Sequence, residues 1–142
     1  MSDRRKIHYI SILLCEDLRV EANGLQTIVG VMPSKVAVQS VPLTLQRLMF
    51  RIEFETNDNF AAECSFEMLD PGGESILKHS SQFQVRSDLR NVFVVGWTPV
   101  VLKGLGRYSV QFGIGKEKKR EISCLEIIAP QQSHKEASVP PG

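Results

Sequence analysis

The densest group of side chains able to do chemistry is the run Cys15, Glu16, Asp17, Arg19 and Glu21. Carboxylates set so closely can ligate a divalent cation, but a hard cation asks for roughly six or more oxygen ligands, and Arg19 stands among them. The weightier expectation is an ion-pair network that fixes a strand end at the rim of the fold. Three cysteines (Cys15, Cys64, Cys124) and three histidines (His8, His79, His134) raise the question of zinc, yet structural zinc sites depend on close pairs such as Cys-x2–4-Cys. The chain has none. His79 with Asp70 or Glu74 is the one local start for a metal-dependent hydrolase. The sequence also lacks Gly-x-Ser-x-Gly, a P-loop, Gly-x-Gly-x-x-Gly and His-Glu-x-x-His, so no ready nucleophile or phosphate cradle is written into it. The expectation is a protein that is not an enzyme, with no catalytic residue, cofactor or metal.

Two further groups bear on binding. Lys116, Lys118 and Lys119, with Arg120, form a local basic cluster; it could touch phosphates, but a charged loop that keeps a hairpin in water accounts for it more simply. Trp97, the single tryptophan, is either an anchor for a partner or a core residue of a strand. Gly96 and Pro99 beside it point to an edge or irregular strand. Trp97 and Tyr108, if exposed, would make a stacking platform for a small ligand or carbohydrate.

Charge excludes other partners. The 17 Lys+Arg against 16 Asp+Glu leave a formal net charge of +1, far from the basic footprint of a nucleic-acid-binding domain. The 142 residues, with 42% hydrophobic and 23% charged side chains, fit one globular domain. An odd, sparse set of cysteines suits a reducing cytoplasm better than a disulfide scaffold. The opening basic residues, apolar run and Cys15 imitate a lipoprotein signal, but bulky Leu14 stands where processing needs a small residue. The uncharged apolar run 91–102 contains Gly96 and Pro99 and falls short of the roughly 18 residues of a spanning helix. No membrane partner is expected.

These side chains must be positioned by strands, because period-2 alternation dominates. Leu48, Phe50, Ile52 and Phe54 alternate with Met49, Arg51, Glu53 and Glu55; Phe60, Ala62, Cys64, Phe66 and Met68 do the same, as do Tyr108, Val110, Phe112 and Ile114. Cys64 therefore shares a core face. No window keeps a helical stripe. Asn23-Gly24 suits a type I′ hairpin turn, and Asp70-Pro71-Gly72-Gly73 suits a second, with Pro presetting φ and Gly accepting positive φ. With an opening strand over 8–15 and a last one over 120–128, about eight strands result. The expected fold is an all-β, antiparallel two-sheet β-sandwich, immunoglobulin-like or related, with little or no helix. It spans 7–128, between a flexible 1–6 and a disordered 129–142 that carries three prolines.

The stretch from Ile12 to Met32, with its Leu-Cys-acidic-acidic-x-Arg-x-Glu-x-x-Gly pattern, the Asp-Pro-Gly-Gly turn and Gly106-Arg107-Tyr108 together resemble a family of small uncharacterised bacterial β-sandwich proteins. That resemblance implies the fold and assigns no catalytic residue. Runs apolar on both faces, at 28–31, 91–102 and 125–128, exceed what a two-layer sandwich buries. They point to a non-enzymatic interaction or assembly module with an unidentified protein partner, or to a homo-oligomer. Candidate interaction residues are Glu16, Asp17, Arg19, Glu21, Trp97, Lys116, Lys118 and Lys119.

Overall fold

The computed structural model describes residues 7–130; the expectations for 1–6 and 131–142 lie outside the described residues. Eleven strands run in chain order: β1 (Ile7–Val20), β2 (Gln26–Val31), β3 (Lys35–Ala37), β4 (Leu43–Leu45), β5 (Leu48–Thr56), β6 (Phe60–Leu69), β7 (Ser75–Val85), β8 (Asn91–Trp97), β9 (Val100–Leu102), β10 (Gly106–Ile114) and β11 (Arg120–Ile128). Among the described residues no helix is long and apolar enough to cross a membrane.

One sheet has the order β2-β1-β5-β8 and the facing sheet β3-β11-β10-β6-β7, while β4 and β9 pair separately. The sandwich is as expected, but the count exceeds eight because β3, β4 and β9 are three residues each. Such pieces are too short to show an alternation in sequence. One ladder also departs from the antiparallel rule, since β3 joins the edge of β11 in parallel. The opening strand is longer than expected and carries the Glu16–Arg19 cluster within it.

Alternation sorts the side chains as the period-2 pattern requires. Phe50, Ile52 and Phe54 of β5, Cys64, Phe66 and Met68 of β6, and Tyr108, Val110 and Phe112 of β10 are all fully buried. Aromatic rings stitch the two sheets: Phe50 meets Phe66 at 4.5 Å between centroids, and Phe93 meets Phe112 at 5.1 Å. Offset and edge contacts of this kind add to the area term.

The first two hairpins share one geometry. Gly24 N–H donates to Glu21 O (2.9 Å) and Glu21 N–H to Leu25 O (2.7 Å); Gly73 N–H donates to Asp70 O (2.9 Å) and Asp70 N–H to Glu74 O (2.8 Å). Gly24 and Gly73 have positive φ, and among the described residues no non-glycine residue does. Each is thus a type I turn closed by a glycine bulge, the common three-residue hairpin, and not the type I′ turn expected at Asn23-Gly24. Asn23 keeps negative φ and uses its side chain, Oδ1 accepting from Leu25 N–H at 3.0 Å.

Candidate functional site

The strand registers define two ends of the sandwich. At one, β1 runs past its last partner on β5, the Cys15–Met49 pair, and continues with β2 alone through Val20–Gln26. The result is a two-stranded arm outside the ladders of the larger sheet, tied to β5 by a hydrogen bond from Arg51 Nε to Gln26 Oε1 (2.7 Å). The same end holds the β4–β9 ribbon, the Asp70–Gly73 turn and the loop before β10. Seven of the eight large hydrophobic side chains exposed among the described residues lie here: Val20, Leu25, Val29 and Val31 on the arm, and Val41, Val101 and Leu105 around the ribbon. Only Leu89 lies at the opposite end, among the charged loops of Arg86, Asp88, Arg90, Lys116 and Lys118.

The sequence singled out the arm for its charges. Asp17 accepts from Arg19 Nε (3.1 Å) and from Arg47 Nη1 (2.7 Å), so a residue thirty positions away completes the network that the local cluster suggested. Glu21 accepts from Thr27 Oγ1 at 2.6 Å. Glu16 lies against Gly30, where φ is +68° and an added Cβ would fall 2.9 Å from the Glu16 Cγ. That left-handed residue interrupts the ladder of an edge strand, a common guard against indiscriminate pairing. Among the described residues no group of three His, Cys, Asp or Glu side chains stands close enough to hold a metal ion. His79 sits in mid-strand opposite Phe66, its ring 6.4 Å from Phe93.

The aromatic platform is not there. Trp97 ends β8, the edge strand, but its ring packs inward on Phe66 (5.4 Å) and Phe50 (6.0 Å). Tyr108 is buried, and its hydroxyl donates to Gly104 O at 2.7 Å while accepting from Gly104 N–H at 3.3 Å. This is a tyrosine corner, which pins the loop to the strand that follows it. Inward-facing rings at both positions follow from alternation, since each occupies a core-facing register. Of the basic loop, Lys119 is tied to Glu67 at 2.7 Å, and Lys116 and Lys118 lie at the far end from the apolar cluster.

Electrostatics serve the fold. Hydrogen bonds from Arg19 and Arg47 hold Asp17 below the usual carboxylate range, Lys119 and Ser75 do so for Glu67, and Arg107 and Ser109 for Glu121. Burial pushes Glu53 up, but hydrogen bonds from Arg51, Arg90 and Ser11 outweigh it and its pKa falls. Burial pushes the Cys64 thiol up to about 12 and raises that of Cys15, which leaves both poor nucleophiles. A carboxylate with a lower pKa in the folded chain stabilises it above the unfolded value, and that contribution is lost as pH falls through the folded one. From ordinary values of 3.8 for Asp and 4.5 for Glu, stability is expected to hold from neutral pH to about pH 5 and to decline below about pH 4.5. Urea midpoints across pH 3–7 check this, and Glu67→Gln should flatten part of the decline.

Residues 10–125 match the model of a family of unknown function, DUF6941. No curated protein matches the chain. Among solved structures, the crystal structure of the C-terminal domain of wzt is similar at 12% identity and a TM-score of 0.49, covering 89% of this chain and 78% of that one.

Proposed function

We infer, for a chain that belongs to DUF6941 and so takes no activity from its family, a non-enzymatic module that binds a protein partner through the apolar end of the sandwich. One observation carries this reading: the exposed large hydrophobics gather at that end and are nearly missing from the other. Scattered apolar residues on a surface need no explanation, whereas a gathered set marks an interaction site. Val20 and Leu25 are 69% and 65% exposed at the tip of a two-stranded arm, an element that is marginal in water without something to pack on. The ion pairs around Asp17 form a polar rim beside these residues, the layout of an interface with an apolar centre.

Substituting the tip tests the reading. Val20→Ser with Leu25→Ser should change folding stability by no more than about 0.5 kcal/mol, because both side chains are already in water. The protein retained stoichiometrically by tagged wild-type chain in its native extract should fall at least tenfold with this double variant and be unaffected by Leu89→Ser at the far end. Equal retention by all three would overturn the assignment of this end.

A further inference from the structure

The apolar end contains a cavity of about 630 Å³ between the Asp70–Gly73 turn and the loop that leads into β10. Its apolar lining comes from Ile76, Val101 and Leu105, its polar lining from Asp70 and Glu74 on one wall and Lys103 on the other. Both walls are rigid by construction. Asp70 Oδ1 accepts from Gly72 N–H and Glu74 N–H, each at 2.9 Å, so the turn is tied to its own side chain. Gly106, with φ +130°, abuts Pro71 so closely that a Cβ there would lie 2.7 Å from the Pro71 ring. Tyr108 fixes Gly104 on the opposite wall.

Two properties of this groove select its occupant. Besides Tyr108 of the central β10, two edge strands line it, β7 ending the five-stranded sheet and β9 belonging to the two-stranded ribbon, so one flank of each of these two has main-chain groups outside any ladder. Charge is the second. The Glu74 carboxylate makes no hydrogen bond or ion pair among the described residues, nor does the second oxygen of Asp70, and Lys103 likewise has no acidic partner there. Unpaired acids beside an apolar floor complement a basic residue flanked by apolar ones.

We propose that this groove takes an extended segment of a protein partner by strand addition at the β7 edge, with apolar side chains on Ile76, Val101 and Leu105 and a basic side chain at Asp70 and Glu74. The proposal rests on the interaction reading above and names the partner's local chemistry. Strand addition draws affinity from main-chain hydrogen bonds and specificity from the pockets that alternate side chains meet. The pre-set walls spare the module the ordering cost that a mobile loop would carry, and Lys103 on the facing wall gives the segment a preferred direction.

The test uses two short end-blocked peptides, one alternating valine with lysine and one alternating valine with glutamate, titrated into isotope-labelled full chain. The lysine peptide should shift the amide resonances of Ser75, Ile76, Val101 and Lys103 and bind about tenfold more tightly than the glutamate peptide, a typical discrimination for complementary against like charge. Glu74→Lys, an exposed substitution that leaves the turn intact, should reverse that preference. Equal binding of the two peptides, an unchanged preference in Glu74→Lys, or no shift at these amides would overturn the proposal. The Val20/Leu25 variant reads the interaction reading separately: if it still loses its retained protein while the peptides fail, the groove assignment falls and the module's partner docks on the arm.

Discussion

Phe50→Ala is expected to lower stability by about 3–5 kcal/mol, a large fraction of the 5–15 kcal/mol that holds a domain of this kind together. Phe50 has no exposed surface. Its ring meets Phe66 of the facing sheet at 4.5 Å and Trp97 at 6.0 Å, and its backbone pairs with both Leu14 and Val95. Truncation therefore removes the transfer free energy of a whole ring and leaves a void between two sheets whose strands are fixed by their ladders and cannot close on it. Urea unfolding followed by circular dichroism should show a lower midpoint with an unchanged slope, since the surface exposed on unfolding barely changes. Emission of Trp97 should shift to the red in the native variant as its ring loses a neighbour and gains water. A loss below about 1 kcal/mol would mean that Phe50 does not occupy the centre of the core.

The second large effect concerns Asn91, the one buried polar residue among those described. Its Oδ1 accepts from Arg86 N–H at 2.8 Å, and its Nδ2 donates to Arg86 O at 2.9 Å and to Phe54 O at 3.4 Å. The side chain thereby closes the turn between β7 and β8 where no ladder bond is available. Asn91→Ala strips a partner from one main-chain amide and two carbonyls at once, and with about 1–3 kcal/mol for a buried group left unsatisfied, a loss of about 2–4 kcal/mol is expected. Asn91→Asp discriminates the donor from the acceptor role. A carboxylate still accepts from Arg86 N–H but cannot donate to either carbonyl, so this variant should be destabilised at neutral pH and recover in part once the acid is protonated and gains a donor. Equal stability of wild type and Asn91→Asp at pH 7 would show that the two carbonyls do not depend on this side chain.

Neither residue announced its role equally in the sequence. Phe50 was legible, because it falls in the clearest period-2 run, and the same alternation located β5, β6 and β10, the burial of Cys64 and the inward register of Tyr108; Trp97 stayed open between anchor and core, because its run is apolar on both faces, and only the packing on Phe66 and Phe50 turns it inward. Asn91 was not, because a polar residue at a strand start looks the same whether it faces water or a pair of main-chain groups. The acidic-basic cluster of the first strand was visible as a cluster, yet Arg47, its partner from outside the cluster at 2.7 Å, was invisible: the two meet only because β5 returns beside β1.

What the amino-acid order determined by itself is local. Alternation, with glycine at the two bulged turns, specifies all-β structure, most of the strands and which face of each is apolar, since the side-chain period of an extended chain is fixed by its backbone geometry. Tertiary structure decided everything that depends on which strands become neighbours. Of the three-residue strands, β3 exists only because β11 offers it an edge, and β4 and β9 only because each finds the other; the parallel β3–β11 pair joins segments some ninety residues apart, and the apolar arm is exposed only because β1 outruns β5. The groove at Asp70, Glu74 and Leu105 likewise unites segments that share no pattern, because pairing across a sheet is a long-range contact and exposure is a property of what the neighbouring strands fail to cover.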